Sequence, residues 1–352
     1  MKSYFLQVKE VIQETTDTIT ITFWHPLNEQ IKYKAGQFLT LIVPADEGKK
    51  VRRSYSMSTS PVTDTAVGVS VKRVVGGLVS NYLNDRVKAG DFIEVIEPMG
   101  HFYVEPDAEK RREVVLIGAG SGITPLFSMA KTLLKAEPDT RVVLYYGNRQ
   151  ESSIIFKSAL DELEKSYRDR FSVRHILSQP SITWVGEKGR ISQGGLIHFL
   201  KDHQINIPQA EYFLCGPVPM MDDVLRVMDL YEVPASQIHQ EKFNAPMLGE
   251  EAVAAAEVPG SQAYTVTIQY EGDTHAVLVE PHQTILEAAL ALDIDLPYSC
   301  QAGMCTACLG RCTQGKVTMD EEDGLTEKEI QAGYILTCVA RPASADVVLE
   351  IE

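Results

Sequence analysis

The chain has no run of about 18 apolar residues, the length a helix needs to cross a bilayer. Its opening stretch, MKSYFLQVKEVIQETTD, lacks the apolar segment and small-residue cleavage site of a secretory leader. These two absences lead to the expectation of a cytoplasmic protein without membrane insertion. Positive charge is scarce as well: 33 Lys and Arg stand against 48 Asp and Glu, a formal net charge of −15. Nucleic-acid binding rests on cations that neutralise phosphates, so the balance argues against that class and favours solubility and a basic protein partner. Before Cys300, cysteine occurs only at Cys215, whereas five fall between Cys300 and Cys338. Such clustering points to metal in a reducing compartment rather than to a disulfide framework. No internal repeat is visible.

At 352 residues the chain is long enough for two or three domains, each with its own core. Residues 1–106 alternate short β-rich runs with turns, as in FLQVKEVIQ, TITITFW, FLTLIV, RRSYSMS, GVSVKRV and DFIEVIEP. That rhythm predicts a small antiparallel β-barrel. Over 107–245 apolar runs alternate with amphipathic stretches (VVLIGAG, LFSMAKTLLKA, RVVLYYG, SALDELEKSY), which predicts an α/β domain with a parallel sheet. Residues 246–262, rich in Ala, Glu, Gly and Pro, are the linker candidate. The remainder, 263–352, opens with a predicted hairpin and helix and leads into the cysteine-rich loop.

That loop carries the most information. Cys300, Cys305 and Cys308 form C-x4-C-x2-C, and 29 residues intervene before Cys338. A [2Fe-2S] cluster needs four thiolates on two irons, and a tight loop supplies three from one side. The small residues between them let backbone N–H groups approach the sulfurs. Zinc is the alternative, but structural zinc sites usually show two close pairs of ligands rather than three together and one distant. Cys312 fits no ligand slot and reads as a partly buried free thiol.

Two turns suggest a nucleotide. VVLIGAGSGITP sets Gly118, Gly120 and Gly122 between a strand and a helix, with Thr124 following, so that backbone N–H groups at a helix N-terminus can meet a pyrophosphate. FLCGPVPM puts Cys215 and Gly216 on a second strand-to-helix turn that can face the same ligand. By itself Cys215 reads as a core cysteine. RRSYSMSTSP combines a cation, an aromatic plane and hydroxyls at Arg53, Tyr55 and Ser56, a set that meets phosphate and ring but is also common on edge strands.

The ordered set RSYS, GGLVSNYL, GAGSGITP, CGP and the cysteine pattern resembles the ferredoxin–NADP reductase superfamily with a C-terminal ferredoxin domain. Within it the match is to reductase components of oxygenases such as phenylacetyl-CoA epoxidase, and it covers essentially the whole chain. The resemblance implies a multidomain protein: a FAD-binding barrel, an NAD(P)-binding α/β domain and a β-grasp [2Fe-2S] domain. It further implies that Arg53, Tyr55 and Ser56 hold the flavin phosphates, one ring face and the N5 region, and that Gly76, Gly77, Val79 and Ser80 form a diphosphate loop favouring FAD. Gly118 to Thr124 then bind the nucleotide pyrophosphate, Cys215 and Gly216 lie beside the nicotinamide, and Glu241 and Phe243 lie near the flavin. Arg149, just after the second strand of the α/β domain, is the candidate for a 2′-phosphate and leans the reading toward NADPH over NADH; a solvated loop arginine is the alternative. The implied activity is an NAD(P)H:acceptor oxidoreductase delivering electrons to an oxygenase component. Other acceptors (a desaturase, a hybrid-cluster protein, a separate ferredoxin) and a non-catalytic redox sensor remain alternatives. The acidic run Asp320–Asp323 reads as solvated surface or as an electrostatic guide for a basic acceptor.

Overall fold

The computed structural model describes residues 2–44, 50–243, 262–321 and 324–351. The chain divides into two compact units, Met1–Phe243 and Asn244–Glu352. The expected linker at 246–262 lies, except for Gln262, outside the described residues.

The first unit opens with β1 (Ser3–Thr15), β2 (Thr18–Phe23), β3 (Phe38–Pro44), β4 (Lys50–Ser56), β5 (Val67–Lys72) and β6 (Phe92–Met99). They pair antiparallel in the order β4-β3-β6-β1-β2-β5. Alternation along the strands sends Ile19, Ile21 and Phe23 of β2, Leu39 and Leu41 of β3, and Val67, Val69 and Val71 of β5 into one core. The two edges then meet, because Met57, just past β4, bridges Val69, and the Ser58 N–H donates to the Gly68 carbonyl at 3.0 Å. The sheet is thereby closed into a barrel, which leaves few unpaired edge groups. Helix α1 (Leu78–Arg86) adds Val79 and Leu83 to the same core.

The parallel sheet follows, built from β7 (Glu113–Ala119), β8 (Arg141–Asn148), β9 (Phe171–Leu177), β10 (Glu187–Lys188), β11 (Glu211–Cys215) and β12 (Ile238–Glu241). Its order is β10-β9-β8-β7-β11-β12, with every neighbouring pair parallel. Successive residues of β7 feed opposite cores. Val114 and Leu116 pack with α2 (Ile123–Ala136) and α3 (Lys157–Ser166), while Val115 and Ile117 pack with α4 (Gln193–Asp202) and α5 (Val218–Leu230). A strand covered on both faces must be apolar at nearly every position, which is why VVLI carries no alternation. The chain runs outward from β7 on either side, so the carboxyl ends of β7 and β11 border the switch point where such sheets bind ligands.

A polar anchor lies at the opposite end of the sheet. Glu137, whose side chain is 0% exposed, accepts from Arg112 Nη2 at 2.7 Å, from Thr140 Oγ1 at 2.5 Å and from the Asp107 N–H at 3.1 Å. Arg112 also reaches Glu211 at 2.6 Å. Burial by itself would raise the Glu137 carboxyl, but the bonds from Arg112, Thr140 and Asp107 outweigh it and hold the group below its ordinary value. A depressed carboxylate stabilises the fold above its unfolded pKa of about 4.3, and the contribution is lost as pH falls through the folded value.

The second unit holds β13 (Tyr264–Tyr270), β14 (Asp273–Val279), β15 (Leu309–Gln314), β16 (Val317–Met319), β17 (Tyr334–Leu336), β18 (Ala340–Pro342) and β19 (Val348–Ile351). A five-stranded mixed sheet runs β14-β13-β19-β15-β17, and β16 pairs with β18. Helix α6 (Ile285–Ala291) begins at a capping box in which Thr284 and Glu287 satisfy each other's N–H groups. Its Ile285, Leu286, Ala288 and Ala289 enter the core with Val266, Ile268 and Leu349. A shorter helix, α7 (Glu327–Gln331), precedes β17.

Replacing Arg112 by Leu leaves Glu137 as a buried charge without its main partner. The expected cost is about 3–5 kcal/mol to the first unit at pH 7, read from its denaturant midpoint, with a smaller difference from the parent below about pH 4 as the carboxylate protonates.

Candidate functional site

The glycine loop and the CGP turn meet backbone to backbone. Parallel pairing sets Cys215 opposite Gly118, which brings the two strand ends side by side. A Cβ on Gly122 would run into the Cys215 carbonyl oxygen, and one on Gly216 would come 3.2 Å from the Ala119 nitrogen. Gly120 takes φ +56° and has open space where a side chain would be. Its carbonyl accepts a 2.9 Å bond from Tyr146 Oη, and Thr124 Oγ1 donates to the Ser121 carbonyl at 3.0 Å. Helix α2 starts at Ile123 with Gly122 as an N-cap that has no side-chain bond; the Ile123 N–H turns back to the Gly120 carbonyl, and the helix N-terminus is open to an anion.

On the barrel side, β4 ends at Ser56, with Arg53 and Tyr55 sharing a face one strand period apart. Arg53 bonds its neighbour's carbonyl, Nη1 to Arg52 O at 2.7 Å. Burial pushes the Tyr55 phenol up, partly offset by the Arg53 charge. Gly76 adopts φ +71° and borders open space on the side where a Cβ would project, and Gly77 caps α1 with no side-chain bond. Ser80 Oγ accepts from the Val74 N–H at 3.1 Å, and Val79 is buried beneath. Both glycine-led helices therefore present uncapped N-termini.

A buried contact links the two sheets near the strand ends. Ser56 Oγ donates to Glu241 Oε2 at 3.2 Å, both residues being 5% exposed. Glu241 is opposite Cys215 in the β11–β12 ladder. The Cys215 thiol is fully buried and pushed well above its ordinary pKa, first by burial and then by the Glu241 charge, so it is a neutral thiol and not a nucleophile. Phe243, the last described residue of this unit, is 44% exposed. Arg149 sits just past β8, exposed, and among the described residues its guanidinium has no ion-pair partner.

In the second unit the four cysteines of the motif gather. Pairing of Leu309 with Leu336 sets Cys308 opposite Thr337 and so brings Cys338 to the loop. The thiols touch in the succession Cys305, Cys300, Cys338, Cys308. The neighbouring thiols of Cys305 and Cys338, with the N–H groups of Ala302 and Met304, hold Cys300 below the usual thiol range. Gly303 turns the loop with φ +69°, and its carbonyl accepts from the Gly324 N–H at 2.8 Å. Among the described residues no three His, Cys, Asp or Glu side chains gather as ligands of one metal ion. Four thiols in one succession are the donor set that a two-iron cluster takes. Cys312 stands apart, its thiol donating to the Gln314 carbonyl at 3.2 Å. Asp320 is paired with Arg341.

The family comparisons divide the chain in the same way. An oxidoreductase FAD-binding domain matches residues 5–103, an oxidoreductase NAD-binding domain 116–226, and a 2Fe-2S iron-sulfur cluster binding domain 268–343. A component of the 1,2-phenylacetyl-CoA epoxidase of Escherichia coli K12 is 37% identical over 99% of this chain and 97% of its own length. The ferredoxin reductase component of the 3-ketosteroid-9-alpha-monooxygenase of Rhodococcus rhodochrous is likewise 37% identical, with the same two coverages of 99% and 97%. The chain belongs to the ferredoxin reductase family of oxygenase reductase components. Among solved structures, phthalate dioxygenase reductase shares the fold with a TM-score of 0.64 over 99% of this chain and 98% of that one, at 24% identity. An Amycolatopsis cytochrome P450 reductase aligns at 28% identity and TM-score 0.60, over 69% of this chain and 70% of that one.

The reductase is thus an oxidoreductase whose groups are FAD, a [2Fe-2S] cluster and a pyridine nucleotide. The sites offered to them suit their chemistry: uncapped helix ends for phosphates and four contacting thiols for irons. Close to the nucleotide loop, Asn148 Nδ2 at the end of β8 is buried beside the Tyr146 phenol. No helix among the described residues is long and apolar enough to cross a membrane. The sequence reading missed Tyr146 and Asn148. Their signal was the polar ending of the apolar run VVLYYGN, since polar groups at the carboxyl end of a buried strand border the ligand crevice.

Substituting Ala for Gly122 keeps an ordinary helical φ, so any effect comes from crowding the Cys215 carbonyl. The variant is expected to lose about 1–3 kcal/mol of stability in the first unit and to bind pyridine nucleotide at least tenfold more weakly by titration, while its iron content stays that of the parent.

Proposed function

We propose that the reductase takes a hydride from NADPH and sends its two electrons, one at a time, to an oxygenase component such as that of phenylacetyl-CoA epoxidase. NADPH becomes NADP⁺, two one-electron acceptor equivalents are reduced per nucleotide, and the proton carried in with the hydride is released to solvent. Bound together, flavin and cluster supply the conversion between two-electron and one-electron chemistry. The carrying observation is that a phosphate-ready strand and loop, a nucleotide loop and a four-thiol loop occur in one chain aligned end to end with oxygenase reductases.

In this reading Arg53 neutralises flavin phosphate, Tyr55 covers a ring face, and Ser56 bonds near the reacting nitrogen, its hydroxyl oriented by Glu241. Gly76, Gly77, Val79 and Ser80 hold the diphosphate at the α1 N-terminus, which selects FAD. Gly118, Gly120, Gly122 and Thr124 hold the nucleotide pyrophosphate at α2. Cys215 and Gly216 place the nicotinamide, the neutral thiol serving as a packing surface beside it, and Phe243 borders the flavin. Cys300, Cys305, Cys308 and Cys338 ligate the irons, which requires the reduced thiols of a cytoplasmic setting. The exposed guanidinium of Arg149 supports the preference for a 2′-phosphate. Residues 263–352 contain 15 Asp and Glu against four Lys and Arg, a surplus that favours an acceptor with a basic docking face.

The test is reduction of cytochrome c and of a purified oxygenase component by the reconstituted protein. Cys305→Ser is expected to abolish the cluster absorbance and transfer to the oxygenase while NADPH still bleaches the flavin; parent protein whose flavin no pyridine nucleotide reduces would end the proposal. Transfer to a basic oxygenase should also slow as salt rises. For nucleotide choice, Arg149→Ala is expected to lower kcat/KM for NADPH about tenfold or more and leave NADH within twofold, roughly the loss of one charge-assisted bond. An unchanged ratio removes Arg149 from the specificity argument.

A further inference from the structure

Helix α2 is fastened to the barrel by polar groups that neither the flavin nor the nucleotide reading uses. Ser128 Oγ donates to the Thr59 carbonyl at 2.6 Å. Ser60 Oγ and Thr132 Oγ1 lie 2.7 Å apart, and because Thr132 spends its proton on the Ser128 carbonyl at 2.8 Å, Ser60 is the donor. Lys131 Nζ pairs with Asp64. Ser60 and Ser128 are 0% exposed and Thr132 is 1% exposed. On the barrel side Thr59 Oγ1 accepts from Tyr33 Oη and from the Gly68 N–H, each at 2.9 Å, which ties the seam into the point where the barrel closes.

The placement gives the seam its meaning. Ser128, Lys131 and Thr132 stand at i, i+3 and i+4, a single stripe of α2 turned toward the barrel. The same helix begins at the Gly120–Gly122 turn. Thr59, Ser60 and Asp64 follow directly on the strand that ends at Ser56. The seam therefore couples the two ends between which a hydride would pass. An apolar contact tolerates sliding with little penalty, whereas each of these buried hydroxyls is satisfied in one register only. A displacement of about 1 Å between reacting groups can lower a rate by roughly 100-fold, so a device that fixes register has a function to serve.

We propose that Ser60, Ser128, Lys131 and Thr132 are positioning residues for hydride transfer: the seam holds the glycine loop of the nucleotide sheet at a fixed distance from the Ser56 end of β4. The inference rests on the proposed function and assigns these residues no contact with flavin or nucleotide.

Two measurements test it on the full chain. The first is hydrogen exchange without bound groups, where the double variant Ser128→Ala with Thr132→Val is expected to lose protection about tenfold or more in 57–64 and in α2 together, and not in β13–β19. The second is anaerobic rapid-mixing reduction by NADPH at full flavin occupancy. There the saturating rate is expected to fall about tenfold or more with the nucleotide Kd within twofold, and 4-deuterated NADPH should give a more temperature-dependent isotope effect. Restoring the hydroxyls in the conservative pair Ser128→Thr with Thr132→Ser should recover most of the rate. Ser60→Ala, which removes one donor and keeps the helix intact, should slow reduction by about threefold if the double variant does not fold. A fully loaded variant that melts earlier yet is reduced at the parental rate overturns the proposal, since the seam then serves stability alone. Parent protein that NADPH and NADH both leave oxidised defeats the function on which the inference rests, and this is seen before any variant is made.

Discussion

Two backbones in direct contact, with no side chain between them, set the layout of the first unit. Gly122 lies against the Cys215 carbonyl, and any Cβ there would separate the turn after β7 from the turn after β11. Close approach of this kind places the N-terminus of α2, which has no side-chain cap, over the switch point of the sheet. Tyr146 fixes the far side of the same turn through Gly120. The apolar density of β7 and β8, buried on both faces, keeps these strand ends in place, so the loop's geometry is a consequence of the core beneath it.

What was legible in the sequence was local in origin. Period-two alternation in TITITF and GVSV gave the barrel strands, and the uninterrupted run VVLI gave a strand covered on both sides. The three-cysteine loop is a single turn of chain, so its spacing carries its chemistry. The strand rhythm gave a barrel but not where its edges meet, because Met57 with Val69 and Ser58 with Gly68 join segments whose sequences give no pairing signal. The anchor at Glu137 unites residues from 107, 112, 140 and 211, and the α2 seam unites 59–64 with 128–132. Ser, Thr and Lys in an amphipathic helix read as solvent-facing positions until the fold covers them. The site candidates were drawn from motifs, and motifs name the groups that meet a ligand more readily than those that hold the site in register.

Cys338 marks the boundary between these two kinds of information. Its spacing from Cys308 fits the four-thiol pattern, but only the antiparallel register of β15 and β17 carries it to the loop. Hydrogen bonds from Cys305 and Cys338 hold the Cys300 thiol low, and the same bonds push those two thiols up. Ligation removes the thiol protons altogether, so metal binding and deprotonation proceed together. The backbone donors at Ala302 and Met304 are already aimed at sulfur in this arrangement, and such N–H···S contacts tune a cluster's potential.

Between the two sheets, the Ser56–Glu241 bond joins β4 to β12 within the first unit. A buried carboxylate beside a buried thiol cannot favour a thiolate, since burial and like charge act in the same direction on Cys215. Of the two, the carboxylate is the one with a hydroxyl donor, and the sulfur stays neutral. A neutral sulfur beside the glycine loop adds shape and no charge. The same carboxylate holds the Ser56 hydroxyl in one direction, so the polarity at the end of β4 is set by the far edge of the other sheet. Among the described residues, polar bonds join barrel and parallel sheet at two places, at the strand ends through Ser56 and Glu241 and along α2 through Ser60, Ser128, Lys131 and Thr132. Two separated attachments on one rigid helix-and-sheet body resist rotation as well as sliding, which a single contact does not.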